Sequence, residues 1–156
     1  MAEKAGIKLG STAPDFTLKD HSGADFGLSE ARGKRVILSF HPLAWTGVCA
    51  DQMQALEKNT GVFESLNTVA VGISIDSVPS KKAWAESLGI EKLRLLSDFW
   101  PHGYVAQRYG IFRDKDGFSQ RANIVLDEQG KVIFFKVYEI SQLPDLDEII
   151  KLLRER

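Results

Sequence analysis

The chain contains a single cysteine, Cys49, at the end of the run Pro42-Leu43-Ala44-Trp45-Thr46-Gly47-Val48-Cys49. A lone thiol is either an inert apolar filler of a core or a nucleophile. The nucleophile is the thiolate, and a free thiol has a pKa of about 8.5. Activation therefore requires surroundings that favour negative charge on sulfur. Thr46 stands three residues before the cysteine. Where a loop turns into a helix, that hydroxyl folds back toward the sulfur and can hydrogen-bond both a thiolate and an incoming oxygen. From the same position it can instead cap the helix. Pro42, with a fixed φ and no N–H, shapes the loop or ends the preceding strand.

Two elements position these residues. Val36–Phe40 reads as a strand, and the run from Cys49 through Met53 to Leu56 reads as a helix. Cys49 then lies in the first turn of a helix, just past a buried strand. Unpaired amides and the positive end of the helix dipole meet there and are expected to lower the thiol pKa. Further strand-like runs are Asp15–Leu18, Val69–Ile75, Arg94–Leu96, Asn123–Leu126 and Val132–Val137. Further helix-like runs are Ser80–Leu88, Tyr104–Tyr109 and Leu143–Leu153. The last has Leu146, Ile149, Ile150 and Leu153 at the spacing of a core-facing stripe. Asp127-Glu128-Gln129-Gly130 reads as a hairpin turn. The alternation predicts an α/β fold, with parallel strands, a final antiparallel hairpin and helices on the faces of the sheet. Sites in such sheets lie beyond the carboxyl ends of the strands, where this order puts Cys49.

The pattern Pro-x-x-x-Thr-x-x-Cys resembles the active-site motif of the peroxiredoxins, the AhpC/TSA superfamily, and Pro42, Thr46 and Cys49 match it. Ala13-Pro14-Asp15-Phe16-Thr17-Leu18, Ser74-Ile75-Asp76-Ser77 with Trp84, and Leu95-Leu96-Ser97-Asp98 match further family segments in order. Arg121-Ala122-Asn123-Ile124-Val125-Leu126-Asp127 is similar to the strand that carries the family's active-site arginine. Ser97-Asp98-Phe99-Trp100-Pro101-His102-Gly103 resembles the one-cysteine, AhpE-like subgroup. The resemblance covers roughly residues 8 to 150. It implies a thioredoxin-like fold, a role for Pro42 in shielding the sulfur from water, and a place for Arg121 beside Cys49. An arginine entering a strand is otherwise more often a solvated edge residue. Arg108 and Arg113 fall outside the matching motif. The chain departs from the family at Ala50, where proline often follows the cysteine. It departs again at Gln52, where glutamate is usual, and at Arg94, where proline is usual.

The 156 residues are 44% hydrophobic and carry a net charge of −1. That length predicts a single domain over 1–156, and one of that size buries about 70% of its unfolded surface. The charge balance gives no nucleic-acid or membrane footprint, and no apolar run approaches the ~20 residues of a membrane span. Met1-Ala2-Glu3-Lys4-Ala5-Gly6 has no apolar core of a secretory signal. One cysteine excludes an intrachain disulfide and a multi-cysteine zinc site. A free thiol persists most easily in a reducing cytosol, so a cytoplasmic location is expected. Trp45, Trp84 and Trp100 read as packing residues, with Trp45 near enough to line a pocket. His41 is either a polar core residue or a pH-sensitive contact of the thiolate. His102 reads as a support for a loop or a subunit contact.

Together these readings predict a thiol-dependent peroxidase. Its Cys49 thiolate attacks a hydroperoxide and becomes a sulfenic acid, and an external thiol or redoxin reductant restores it through a mixed disulfide. Thr46, loop amides and Arg121 would stabilise the shifting charge. No metal, haem or flavin cofactor is called for. A homodimer is expected, joined through the aromatic loop at 99–103. Two other readings stand beside this one. A thiol–disulfide oxidoreductase on the same fold normally needs Cys-x-x-Cys, and position 46 is threonine. A non-enzymatic holdase module would not need Pro42, Thr46, Cys49 and Arg121 together.

Overall fold

A computed structural model describes residues 6–156; the reading of the N-terminus as free of a signal rests largely on residues outside this span. The elements run β1 (Thr17–Asp20), β2 (Asp25–Gly27), β3 (Arg35–Phe40), α1 (Gly47–Lys58), α2 (Thr60–Ser65), β4 (Thr68–Ser74), α3 (Val78–Leu88) and β5 (Arg94–Ser97). They continue with α4 (Tyr104–Arg108), β6 (Phe112–Arg113), β7 (Phe118–Ser119), β8 (Arg121–Leu126), β9 (Val132–Tyr138) and α5 (Leu146–Arg154). Seven strands form one sheet in the order β2-β1-β5-β4-β3-β8-β9, and β6 and β7 pair separately. β3 runs parallel to β4, and β4 to β5; β8 is antiparallel to both β3 and β9. This is the mixed central sheet with flanking helices of the thioredoxin-like fold.

The two faces of the sheet have separate cores. Val36, Leu38 and Phe40 of β3 join Phe16, Tyr109 and Ile124 on one face, and Ile37 joins Met53, Leu56, Trp84, Ile149 and Leu153 on the other. The alternation is that of a strand covered on both sides. Cys49 belongs to the second core. α1 can lie close to the sheet because β4 carries glycine at position 72: a Cβ there would collide with Met53 Sδ.

Boundaries shift where side chains compete with the backbone. β1 begins at Thr17 rather than Asp15, because Asp15 Oδ1 accepts from Phe16 N and Ser29 N. α3 begins before Ser80, since Ser77 Oγ accepts from Ser80 N as a cap. α5 begins at Leu146, where Asp145 accepts from Asp147 N. Trp84 is a packing residue at 2% exposure, but Trp45 is 57% and Trp100 80% exposed. Both lie in loops beyond the sheet; this corrects the reading of the two as packing residues, while the exposure of Trp100 agrees with its place in the aromatic loop at 99–103.

Candidate active site

Cys49 is the third residue of α1, and its side chain is fully buried. The segment that carries it from β3 is tied down at each step. His41 N donates to Ile73 O at 3.0 Å. Ala44 N donates to Asp76 Oδ2 at 2.8 Å, and Trp45 Nε1 to Ser80 Oγ at 3.1 Å. Trp45 has φ +69°, a left-handed conformation that is costly for a bulky residue, so these ties hold a locally strained turn. Pro42 is buried, and Thr46 occupies the N-cap position, exposed. The Thr46 hydroxyl donates to Leu43 O at 2.9 Å. It makes no capping bond, and with its proton committed its lone pairs are left to accept from an incoming hydroxyl.

Arg121 opens β8. The β3–β8 register pairs Phe40 with Ala122, so Arg121 comes to the same end of the sheet as His41 and the Cys49 loop. Sequence distance alone could not have brought residues 49 and 121 together; strand pairing does. Arg121 is 2% exposed. Its Nε and Nη2 donate to Ile140 O at 3.0 and 2.8 Å. Its Nη1 donates to Gln52 Oε1 at 2.6 Å and to Cys49 Sγ at 3.4 Å. Gln52 lies one helical turn beyond Cys49, and its Nε2 donates to Ser39 Oγ at 2.7 Å and Phe40 O at 3.2 Å. A neutral amide thus performs the orienting task for which the sequence comparison expected a carboxylate. Among the described residues no carboxylate is within ion-pair distance of Arg121, so its charge is not spent on an acid.

A cleft of ≈ 310 Å³ reaches this pair, lined by Pro42, Leu43, Thr46, Val48, Phe118 and Ile140 among others. Phe118 and Ile140 carried no sequence signal, since each is an apolar residue in a short or irregular segment. A depression of ≈ 230 Å³ at Lys34, Glu64 and Lys92 contains no nucleophile of this kind. His41 is fully buried, its ring 5.4 Å from that of Trp84. Burial, with the charges of Lys81 and Arg121, outweighs the opposing influence of the Ser39 backbone and pushes its pKa well below the usual histidine range. Its neighbour Lys81, also fully buried, has Nζ 3.2 Å from His41 Nε2; that contact was not legible in the sequence. His102 bonds Gly117 O at 2.6 Å and so supports a loop. Arg108 and Arg113 bond Asp15 O and Asp116, away from the sulfur.

Comparison with known proteins gives a consistent result. The AhpC/TSA family model matches residues 9–135. Alkyl hydroperoxide reductase E of Mycobacterium tuberculosis is 39% identical over 140 residues, covering 89% of this chain and 91% of that protein. The mitochondrial thioredoxin-dependent peroxide reductase of Drosophila melanogaster is 30% identical over 98% of this chain and 68% of its own length. Among solved structures, reduced Plasmodium vivax 2-Cys peroxiredoxin aligns with a TM-score of 0.86 at 28% identity, over 94% of this chain and 80% of that one. Peroxidoxin BcpB of Mycobacterium tuberculosis aligns with a TM-score of 0.83 at 28% identity, over 96% and 97%. With the family model spanning well over half of its length, the chain belongs to the AhpC/TSA family.

Proposed function

We propose that the chain is a thiol-dependent peroxidase with Cys49 as its peroxidatic nucleophile. The observation that carries this is the Arg121 Nη1–Cys49 Sγ contact at the inner end of an open cleft. The thiolate sulfur attacks the terminal oxygen of a hydroperoxide. The O–O bond breaks, sulfur gains the OH as a sulfenic acid, and the leaving oxygen takes a proton to depart as water or an alcohol. Arg121, always protonated, and the free amides of the first turn of α1 stand where negative charge develops. Thr46 accepts from the distal hydroxyl of the peroxide, and Pro42 keeps bulk water off the sulfur. An external thiol then displaces the sulfenic OH as water to give a mixed disulfide, and a second thiol releases Cys49. With one cysteine in the chain, the resolving sulfur comes from outside it. The apolar wall of Leu43, Val48, Phe118 and Ile140 supports organic hydroperoxides as substrates alongside hydrogen peroxide.

The test is stopped-flow mixing of the reduced protein with one equivalent of peroxide. A sulfenate-specific probe should then label Cys49. Formation of a Cys49–Cys49 disulfide before any external thiol is added would replace the one-cysteine cycle. We further infer one domain over 1–156, a cytoplasmic setting that keeps the thiol reduced, and a homodimer. Phe99 at 51% and Trp100 at 80% exposure support the dimer, since both line a ≈ 330 Å³ depression and such apolar surface is characteristic of interfaces. Trp100→Glu should weaken association and activity together. Sedimentation of the wild type as a monomer at micromolar concentration would remove the dimer.

A further inference from the structure

Lys81 lies in the first turns of α3 and is fully buried. Lysine is almost never fully buried unless paired, yet among the described residues no carboxylate is within ion-pair distance of its Nζ. Its hydrogens go instead to Ser74 Oγ at 2.6 Å and toward His41 Nε2 at 3.2 Å. Ser74 Oγ donates onward to Asp76 Oδ2 at 2.6 Å, and the same oxygen accepts from Ala44 N at 2.8 Å. Three hydrogen bonds, through one hydroxyl and one carboxylate, therefore connect the ammonium to the backbone of the loop that leads to Cys49. The adjacent Ser80 holds the Trp45 indole from the same helix. Methionine would fill the volume of Lys81 without its desolvation cost, so packing does not account for the charge.

We propose, building on the peroxidase reading, that Lys81 is a positioning residue of the Cys49 site: it fastens the loop through Ser74 and Asp76 and supplies a second positive charge within electrostatic reach of the sulfur.

The groups that face Lys81 come from every element packed against it. His41 lies after β3, Cys49 on α1, Asp76 after β4 and Asp98 after β5. His21, in the turn after β1, also feels its charge. Burial pulls the Lys81 pKa down to about 7, against the attraction of Asp76, Cys49 and Asp98. Asp98 is itself raised by burial, although its oxygens accept from Val105 N and Ala106 N. His41 is held neutral by burial and by the positive charges of Lys81 and Arg121, so in this pair it accepts and Lys81 is the group that titrates. Below about pH 7 the ammonium is present and favours the thiolate. As pH rises through that value the positive charge is withdrawn from the surroundings of the sulfur. A positive charge on Lys81 and a negative charge on the sulfur favour one another, and that coupling is reciprocal.

The experiment compares wild type with Lys81→Met between pH 5 and 9. Ultraviolet thiolate absorbance and the rate of Cys49 alkylation are followed first, because neither needs peroxide, and the peroxide rate second. In Lys81→Met both the thiolate absorbance and the alkylation rate at pH 6 should fall, the rate by roughly threefold. The wild-type to variant rate ratio should shrink as pH rises through 7. A ratio that is constant with pH would reduce Lys81 to a scaffold residue and overturn the proposal. The second measurement keeps Lys81 in place. NMR titration of its ε-methylene group should give a lower midpoint in Cys49→Ser than in wild type, and an unchanged midpoint would also overturn it. If Lys81→Met does not fold, this second measurement decides alone. Absence of any peroxide reaction in wild type, with the alkylation profiles as expected, would instead remove the peroxidase reading.

Discussion

Two arginines are buried on adjacent strands of the sheet, at opposite ends of the same ladder. Arg35 opens β3 and Arg121 opens the antiparallel β8. Both put guanidinium nitrogens on main-chain carbonyls. Arg35 donates to Leu153 O and Leu66 O, clasping the ends of α5 and α2. Arg121 donates twice to Ile140 O but keeps Nη1 for Gln52 and Cys49. Neither has a carboxylate partner among the described residues. The difference is one of address. The parallel strands β3, β4 and β5 deliver their loops, and with them the sulfur, only to the Arg121 end. A buried guanidinium held by carbonyls is a structural clasp at one end of this ladder and a source of usable charge at the other.

The contrast fails outright if the sulfur is not the reacting atom. Cys49→Ser should abolish peroxide reduction with the fold intact, and residual turnover within tenfold of wild type, about 1.4 kcal/mol, would remove the nucleophile. Arg121→Met should slow peroxide attack by about 10²-fold, in the range seen on removing one transition-state donor, with Arg121→Lys intermediate because the fork is lost but the charge kept. Arg35→Met should do the reverse: a loss of about 2 kcal/mol in urea unfolding from its deserted carbonyls, with the peroxide rate within about twofold. Equal effects of the two arginine substitutions on rate would dissolve the comparison.

Two smaller tests sharpen it. Gln52→Glu would give Arg121 the acid it lacks and set a negative charge near the sulfur. The thiolate fraction at neutral pH should fall and peroxide attack should slow about threefold, roughly 0.65 kcal/mol. At the far edge of the sheet, Asp20 illustrates an ordinary paired charge. Burial raises its pKa, but bonds from Ser22, Arg94 and Ala24 outweigh that and leave it below the usual carboxylate value. A lowered carboxyl stabilises the fold above its unfolded pKa of about 3.9 and loses that contribution as pH falls through the lowered value. Asp20→Asn should therefore flatten the acid limb of a stability-against-pH curve below about pH 4, without altering the peroxide rate.

Much of this site was legible before the fold. The order of Val36–Phe40, the Pro42–Thr46 loop and the helix from Cys49 fixes the place of the sulfur, because strand, turn and helix are all local. The stripe at Leu146, Ile149 and Leu153 gave α5, whose Ile149 and Leu153 are buried. Arg121 was legible only through family resemblance, since its nearness to Cys49 depends on β3–β8 pairing. The His41–Lys81 contact was not legible, because it joins a strand end to a helix 40 residues away and a lysine in a helix ordinarily reads as solvated. The β6–β7 pair escaped because two-residue strands carry no periodicity. α2 escaped because it follows α1 after a single residue, Asn59, with no loop composition between them.

The threonine that heads α1 leaves its helix uncapped, whereas Ser77 and Asp145 bond the first turns of α3 and α5. A missing cap is worth on the order of 1 kcal/mol, so the first turn of α1 lacks a local contribution that the first turns of α3 and α5 have. On the proposed peroxidase reading a hydroperoxide is small enough to enter the cleft, whereas a reducing protein thiol has to reach a Cys49 that offers no exposed surface. With Cys49 as the reacting atom, oxidation and repair would then be limited differently, the first by chemistry inside the cleft and the second by how a larger thiol gains access to a buried sulfur.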